Sequence, residues 1–541
     1  MNPVRTPRND KLKTFPLPAG IRVERDVRVK MPDGVHLSVN VYRPETDERL
    51  PVVLSYTRYG KEPIASTYLP EYSEMRRAIG TGLGDMTISE ATLWEGPDPA
   101  FWVPRGYAVV FADARGAGLS EGEGSSFSPV TSADYARIIE WCADQPWSTG
   151  KVGLNGVSAL AVTQYHAASR NPRGLAAIIP WEGFSDFFRD VAFHGGIPET
   201  GFTDWYLSEA YENVPGSFDP PETVVEGTPT AESMRKYFDP IDPADIKVPL
   251  LECATWSDQG LHTRGGFNIF NGASSKEKFL YTHGRGKWTV YNEPEALDYQ
   301  LAFFDRYLKG LPHAMDGKSR VRLEVRKTID QYEVRGENSW PPANARFTPF
   351  YLGPNEVLST HVPSEAGSIS YPATKDEPAE FEYIFDKDTE ISGPAALKVW
   401  VSTDAGNDID LFVGLRKFDA SGAEVHFEAR ENDVFGIVSN GWLRVTQRKL
   451  DTAKSRPERP FLVHDGELPV VPGEVYEVDV EILPSSTLFE AGSSLVLNIG
   501  GREIWSNRMC QHRRLRNHGT HTVHIGGRTP SHLLLPIVDR S

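Results

Sequence analysis

Ser158 stands in Gly156-Val157-Ser158-Ala159-Leu160-Ala161, between a short apolar run at 151–154 and a helix-like run at 162–168. A serine two residues after a glycine, at a strand-to-helix junction, suits a sharp turn that exposes the hydroxyl and aims backbone N–H groups at one spot. Those are two parts of an acyl-transfer site, a nucleophile and an oxyanion pocket. A protonated serine is a weak nucleophile, so a base and an orienting acid must follow, in this arrangement in the order Ser, Asp or Glu, His. The apolar run 248–254 leads into Thr255-Trp256-Ser257-Asp258-Gln259-Gly260, and the run 278–282 leads directly into His283-Gly284-Arg285-Gly286. These positions predict Asp258 as the acid and His283 as the base. His262 is the rival base and His194 a more distant one, but neither directly follows a strand. For the oxyanion, the Ala159 backbone N–H is one expected donor. The phenol of Tyr59, in the loop after the buried run 51–56, is the other.

The elements needed to position these groups are legible in the hydrophobic pattern. Residues 20–60 alternate with period two around Pro32-Asp33-Gly34, and 51–56 and 107–112 are continuous apolar runs like buried strands. Tyr135, Ile138, Ile139 and Cys142 lie at helical spacing in 132–146, with Ser132 or Asp134 as the expected cap. Strands alternating with helices predict an α/β domain with a mostly parallel sheet covered on both faces, at 1–180 and 246–320. Residues 181–245 break the alternation and read as a helical cap insertion over the sheet. From 321 to 541 short period-two segments recur between Gly, Pro and Asp turns, which predicts an all-β sandwich of jelly-roll type.

The chain has 541 residues, enough for two or three cores, and a net charge of -17, which argues against nucleic acid or an anionic membrane as partner. Its three cysteines, Cys142, Cys253 and Cys510, are far apart, which argues against a zinc site or a disulfide framework. Neither a signal peptide nor an apolar membrane span is evident, so a cytoplasmic location is the expectation. The composition permits a homodimer. Neither a metal nor an organic cofactor is expected.

The chain resembles the cocaine esterase-like and X-Pro dipeptidyl-peptidase-like α/β-hydrolases, a family that also holds α-amino acid ester hydrolases and glutaryl acylases. The resemblance lies in 113–120 (Asp-Ala-Arg-Gly-Ala-Gly-Leu-Ser), Gly156-Val157-Ser158, Trp256-Ser257-Asp258, 407–413 (Asn-Asp-Ile-Asp-Leu-Phe-Val) and 531–536 (Ser-His-Leu-Leu-Leu-Pro). It implies an α/β-hydrolase sheet with a cap and a C-terminal jelly roll, a triad at Ser158, Asp258 and His283, and an oxyanion tyrosine at Tyr59. Two departures bear on the substrate. Ala159 and Ala161 stand where the family has a tyrosine and another small residue, which opens the acyl pocket. Gln259, Gly260 and Leu261 follow Asp258 where α-amino acid ester hydrolases carry acids for a substrate ammonium.

The expected function is a serine hydrolase that cleaves a carboxylic ester, or as second choices an amide or lactone, through an acyl-enzyme. The alternatives are an acyltransferase using the same acyl-enzyme, an X-Pro-type peptidase, and a non-catalytic binding protein on a hydrolase scaffold. The aromatics Trp181, Phe184, Phe187, Phe188, Phe193, Trp205 and Tyr206 of the insertion are expected to pack the cap and in part to line an apolar pocket. Glu182, Asp186, Arg189 and Asp190 are candidate polar anchors within it.

Overall fold

The computed structural model describes residues 13–63, 86–124, 127–206, 230–236, 238, 240–430, 433–507 and 509–540. Eight strands build the first sheet: β1 (Ile21–Lys30), β2 (His36–Pro44), β3 (Leu50–Thr57), β4 (Ala108–Asp113), β5 (Ser148–Val157), β6 (Leu175–Trp181), β7 (Leu250–Thr255) and β8 (Lys278–His283). They pair in the order β1-β2-β4-β3-β5-β6-β7-β8. The pairs β1–β2 and β2–β4 are antiparallel and the rest parallel.

The pattern within β3 and β4 shows why this sheet is buried on both sides. Side chains alternate across a strand, and Val52, Leu54 and Tyr56 join one core cluster while Val53 joins another. Ala108, Val110 and Ala112 likewise face one cluster, Val109 and Phe111 the other. Helix α1 (Pro129–Asp144) covers the first face with Tyr135, Ile138, Ile139 and Cys142, the residues at helical spacing. Helix α2 (Ala159–Ser169) follows β5 directly. The helix Pro294–Phe304 covers the second face with Tyr299, Phe303 and Phe304.

The start of α1 differs from expectation. Its cap is Ser128, whose hydroxyl accepts from the Thr131 N–H, because Pro129 is suited to the first helical position, where no N–H is required. Ser132 and Asp134 sit inside the helix. The Ser132 hydroxyl donates to the His166 carbonyl, and Asp134 holds the Arg115 guanidinium at 2.7 and 2.8 Å.

Within 181–245, residues 202–206 are helical, Phe188–Ala192 forms one wide turn, and Ser233–Lys236 and Pro243–Asp245 form 3-10 turns. A two-residue strand pair, Phe193–His194 with Ile197–Pro198, lies between them. Residues 207–229 of the expected helical cap lie outside the described residues.

After residue 310 the described regular structure is strands and short 3-10 turns. The strand β9 (Val321–Arg326) runs parallel to β8 and extends the first sheet past residue 320. Further on, β10 (Thr389–Thr403) pairs antiparallel with β13 (Tyr476–Phe489), while β11 (Asp410–Phe418) pairs antiparallel with β12 (Ser439–Arg444) and β14 (Ser494–Gly500). Leu397, Val399 and Val401 of β10 share one core with Leu411, Val413 and Leu415 of β11, although the two strands have different partners. The expected strands at 320–325, 396–401, 475–480 and 494–499 all fall in strands. No helix among the described residues is long and apolar enough to cross a membrane.

Candidate active site

Ser158 sits at the junction of β5 and α2 with φ 58° and ψ -117°, a conformation that L residues rarely adopt. Its N–H donates to the Trp181 carbonyl at 2.9 Å, and its carbonyl accepts from Ala161 and Val162, so the turn is fixed on both sides. The turn is tight enough to require glycine at 156, where φ is +155° and a Cβ would stand 2.6 Å from the Leu160 Cβ. Substituting Gly156 by alanine should therefore destabilise the protein by about 1–3 kcal/mol, read as a lowered thermal midpoint. It should also depress ester turnover by shifting the helix that carries Ser158.

The imidazole beside Ser158 is that of His262, not of the strand-end His283. His262 Nε2 lies 3.2 Å from the Ser158 hydroxyl, and His262 Nδ1 lies 2.5 Å from Asp258 Oδ2. With its proton on Nδ1 toward Asp258, the imidazole presents a lone pair on Nε2 to the serine. Asp258 and His262 are four residues apart on the turn that enters α3 (Thr263–Gly272), and i, i+4 residues share a face. The Asp258 carbonyl accepts from the N–H groups of Leu261, His262 and Thr263, which closes this turn. Gly260 has φ +76°, and a Cβ there would meet His194 Cε1 at 2.9 Å and Cys510 Sγ at 3.0 Å.

His283, the expected base, lies instead beside Glu182. It is fully buried at the end of β8, with Nε2 2.8 Å from Glu182 Oε1, off the line of a well-formed hydrogen bond, and its ring lies 6.2 Å from that of Trp181. The strand end thus places His283 against Glu182, while the helix turn brings His262 to the hydroxyl. His194 contacts the Gly260 carbonyl at 2.9 Å and His512 at 2.9 Å.

Charge at the site is set by a buried group of acids and two cations. Burial alone would raise the Asp258 carboxyl. The Lys287 ammonium, the His262 ring and Arg430 overcome this and hold it well below the usual carboxylate range. Lys287 Nζ lies 2.7 Å from Asp258 Oδ2, and Arg430 Nε 3.3 Å from Oδ1. Burial, helped by Lys287, pushes His262 down to about 4 in spite of Asp258. Burial also pushes His283 down to about 3, Glu95 up to about 8, and Glu182 well above the carboxylate range. Neither Lys287, Arg430 nor Glu95 was singled out in the sequence. All three come from segments distant from Ser158, and no local spacing marks them.

The other expected residues can be placed. Ala159 opens α2, where the first N–H groups of a helix have no partner within it. Tyr59 is half-buried in the loop after β3, its ring packed against both the sheet core and the cluster containing Ala159. That loop is tied down by the Tyr59 N–H to Thr57 Oγ1 at 3.0 Å and by the Lys61 N–H to Asp113 Oδ1 at 2.5 Å. Phe127, Phe184, Phe187, Phe188, Phe193 and Tyr206 form one apolar cluster with Ala159 and Leu261, the chain neighbours of Ser158 and His262. Phe184 stacks over the His262 ring at 6.4 Å, whereas Trp181 belongs to the sheet core.

The candidate anchors Asp186, Arg189 and Asp190 line cavities next to the aromatic cluster and also join segments. Arg189 bonds Asp186 and the Leu462 and Val463 carbonyls, and Asp190 pairs with Arg264 at 2.7 Å. Two sets of three side chains have ligand atoms within 4.8 Å of one another, Glu182-Cys253-His283 and Glu182-Asp258-His262. An ion in the second set would occupy the atoms that join Asp258 to His262.

Residues 33–233 match the X-Pro dipeptidyl-peptidase (S15) family, and 313–534 match the X-Pro dipeptidyl-peptidase C-terminal non-catalytic domain. A solved CocE/NonD family hydrolase from Staphylococcus aureus is 38% identical and superposes with a TM-score of 0.91, covering 98% of this chain and 99% of that one. Cocaine esterase of Rhodococcus sp. (strain MB1 Bresler) is 25% identical over 96% of this chain and 99% of its own length. An α-amino acid ester hydrolase shares the fold at 16% identity, with a TM-score of 0.68 over 99% of this chain and 98% of that one.

Proposed function

Because the chain belongs to the CocE/NonD family of hydrolases, we propose that it is a serine hydrolase cleaving carboxylic esters through an acyl-enzyme on Ser158, with His262 as base and Asp258 as its orienting acid. The carrying observation is the linked pair of contacts, Ser158 Oγ to His262 Nε2 at 3.2 Å and His262 Nδ1 to Asp258 Oδ2 at 2.5 Å.

The hydroxyl oxygen of Ser158 attacks the ester carbonyl while its proton passes to His262 Nε2. The negative oxygen that forms is met by the Ala159 N–H at the start of α2 and by the Tyr59 phenol. On collapse the carbon–oxygen bond to the alcohol breaks, and the alcohol leaves with the proton from His262. Water then repeats the cycle on the acyl-enzyme, giving the acid and free Ser158. Asp258 keeps the Nδ1 proton in place and favours the imidazolium; its own carboxyl stays ionised because Lys287 and Arg430 flank it.

The aromatic cluster around Ala159 and Leu261 supports an apolar acyl group as the substrate's recognised part. An α-ammonium group is poorly served, since Gln259, Gly260 and Leu261, not acids, follow Asp258. The strand-rich region from 321 onward is read as a jelly roll, supported by two sets of strands sharing one core.

A fluorophosphonate probe followed by mass spectrometry, beside a p-nitrophenyl ester series, tests the reading. One adduct on Ser158 with ester turnover is expected. An adduct elsewhere, or none together with no turnover, overturns it.

A further inference from the structure

The loop that carries Asp258 is held from the side away from Ser158 by the strand-rich C-terminal part of the chain. Arg430 Nε lies 3.3 Å from Asp258 Oδ1, with the two side chains 3% and 4% exposed, as a charge contact off the line of a hydrogen bond. Arg430 is itself fixed. Its Nη1 donates to the Met509 carbonyl at 2.6 Å, its carbonyl accepts from Asn507 Nδ2 at 3.0 Å, and its guanidinium lies 4.8 Å from the centroid of the Phe202 ring.

The next two residues of the loop are held as well. Gln259 Nε2 donates to the Ile437 and Val438 carbonyls at 3.3 and 3.4 Å, and Gln259 Oε1 accepts from Asn440 Nδ2 at 2.7 Å. The Gly260 carbonyl meets His194, whose other nitrogen meets His512, which in turn meets Glu503 Oε1 at 2.6 Å. Three consecutive residues of the acid loop thus rest, directly or through His194, on side chains and carbonyls between 430 and 512.

From this we infer that the C-terminal part belongs to the catalytic apparatus, with Arg430 as a positioning residue that holds Asp258 Oδ1 so that Oδ2 faces His262. The inference rests on the Ser158–His262–Asp258 reading. The torsion that turns an aspartate carboxylate is broad, so its orientation is set by partners rather than by rotamer preference. On the other oxygen Lys287 and His262 compete for the same Oδ2, at 2.7 and 2.5 Å. Arg430 is the group that anchors the opposite oxygen. It also adds positive charge near His262, which is faced by Asp258 and Glu182 as acids and by Lys287 and Arg430 as cations.

The test uses the full chain with Arg430→Gln and Arg430→Lys, measuring kcat/KM against pH on a p-nitrophenyl ester, the rate of fluorophosphonate labelling, and the thermal midpoint. Arg430→Gln is expected to lower the neutral-pH plateau about 10- to 100-fold, as a misplaced reacting group does. Loss of a nearby cation lets His262 protonate more readily, so the acid limb moves to higher pH by about half a unit to one unit. Arg430→Lys returns the limb toward wild type while leaving the plateau low, because a point charge lacks the guanidinium fork.

An Arg430→Gln protein with the wild-type limb and plateau, or one changed only in thermal midpoint, overturns the inference. If that variant does not fold, Asn440→Leu decides the matter. Labelling slowed by about threefold or more, as loosened alignment implies, supports the inference, and labelling at the wild-type rate overturns it. A wild-type chain that does not label on Ser158 removes the proposed function itself, and this inference falls with it.

Discussion

Replacing Ser158 by alanine is expected to lower kcat for an ester substrate by about ten-thousand-fold or more while leaving the fold intact. In the proposed mechanism the hydroxyl is the attacking atom, and alanine has nothing to replace it. The residual rate reflects the Ala159 N–H and the bound geometry, which do not depend on the hydroxyl. Stability should hold because the Ser158 side chain makes no capping bond to its helix, and alanine keeps the backbone bonds to Trp181, Ala161 and Val162.

A companion variant separates chemistry from folding. With φ at 58° and ψ at -117°, the turn strains any residue with a Cβ, so Ser158→Gly should be inactive but more stable, by about 1 kcal/mol. The thermal midpoint of Ser158→Gly above that of Ser158→Ala, with both dead toward esters, is the expected result. An alanine variant that keeps ester turnover sinks the assignment of the nucleophile.

The parts legible in the sequence are those written in local patterns. The continuous apolar runs at 51–56 and 107–112 became β3 and β4 because a strand covered on both faces needs apolar residues at every position. Ser158 was legible because a sharp turn leaves a local mark, the glycine at 156 that Leu160 requires. Asp258 was legible from its place after a buried strand. His262, which contacts it, ranks second to His283 under a rule that weighs strand ends and ignores helix turns. The signal was present in Asp258-Gln259-Gly260-Leu261-His262, a spacing of four at a helix entrance.

Lys287 and Arg430 left no such mark. One lies 29 residues beyond Asp258, and the other arrives from the strand-rich region. A contact made only by tertiary packing has no periodicity to read. The same holds for the ties that Arg189 and Asp190 make to distant segments while they line a cavity.

The exchange of roles between the two histidines makes the second large prediction. His262→Ala is expected to lose ester turnover by about ten-thousand-fold or more, because no other imidazole stands within reach of Ser158 among the described residues. His283→Gln should keep turnover within about tenfold of wild type, since its nearest acid is Glu182 and not Asp258. It should lower the thermal midpoint, at a cost of about 1–3 kcal/mol, because the smaller, flexible side chain fills the fully buried place of the imidazole poorly.

The wild-type pH profile adds an independent check. His262 must be neutral to accept the proton, and it is held down to about 4, so activity should persist into acid and fall as pH drops through that value. Acid unfolding runs in the same direction. His283 and His464 are held to about 3 and His166 to about 4, whereas the unfolded chain takes up these protons below about 6.5. The stability these neutral histidines allow is therefore complete above about 6.5 and drains away as pH falls. Initial rates after a brief pH jump, with recovery on return to neutrality, keep the catalytic limb apart from unfolding. An inactive His283→Gln that still folds, beside a His262→Ala labelled by fluorophosphonate at the wild-type rate, would return the role of base to the strand end.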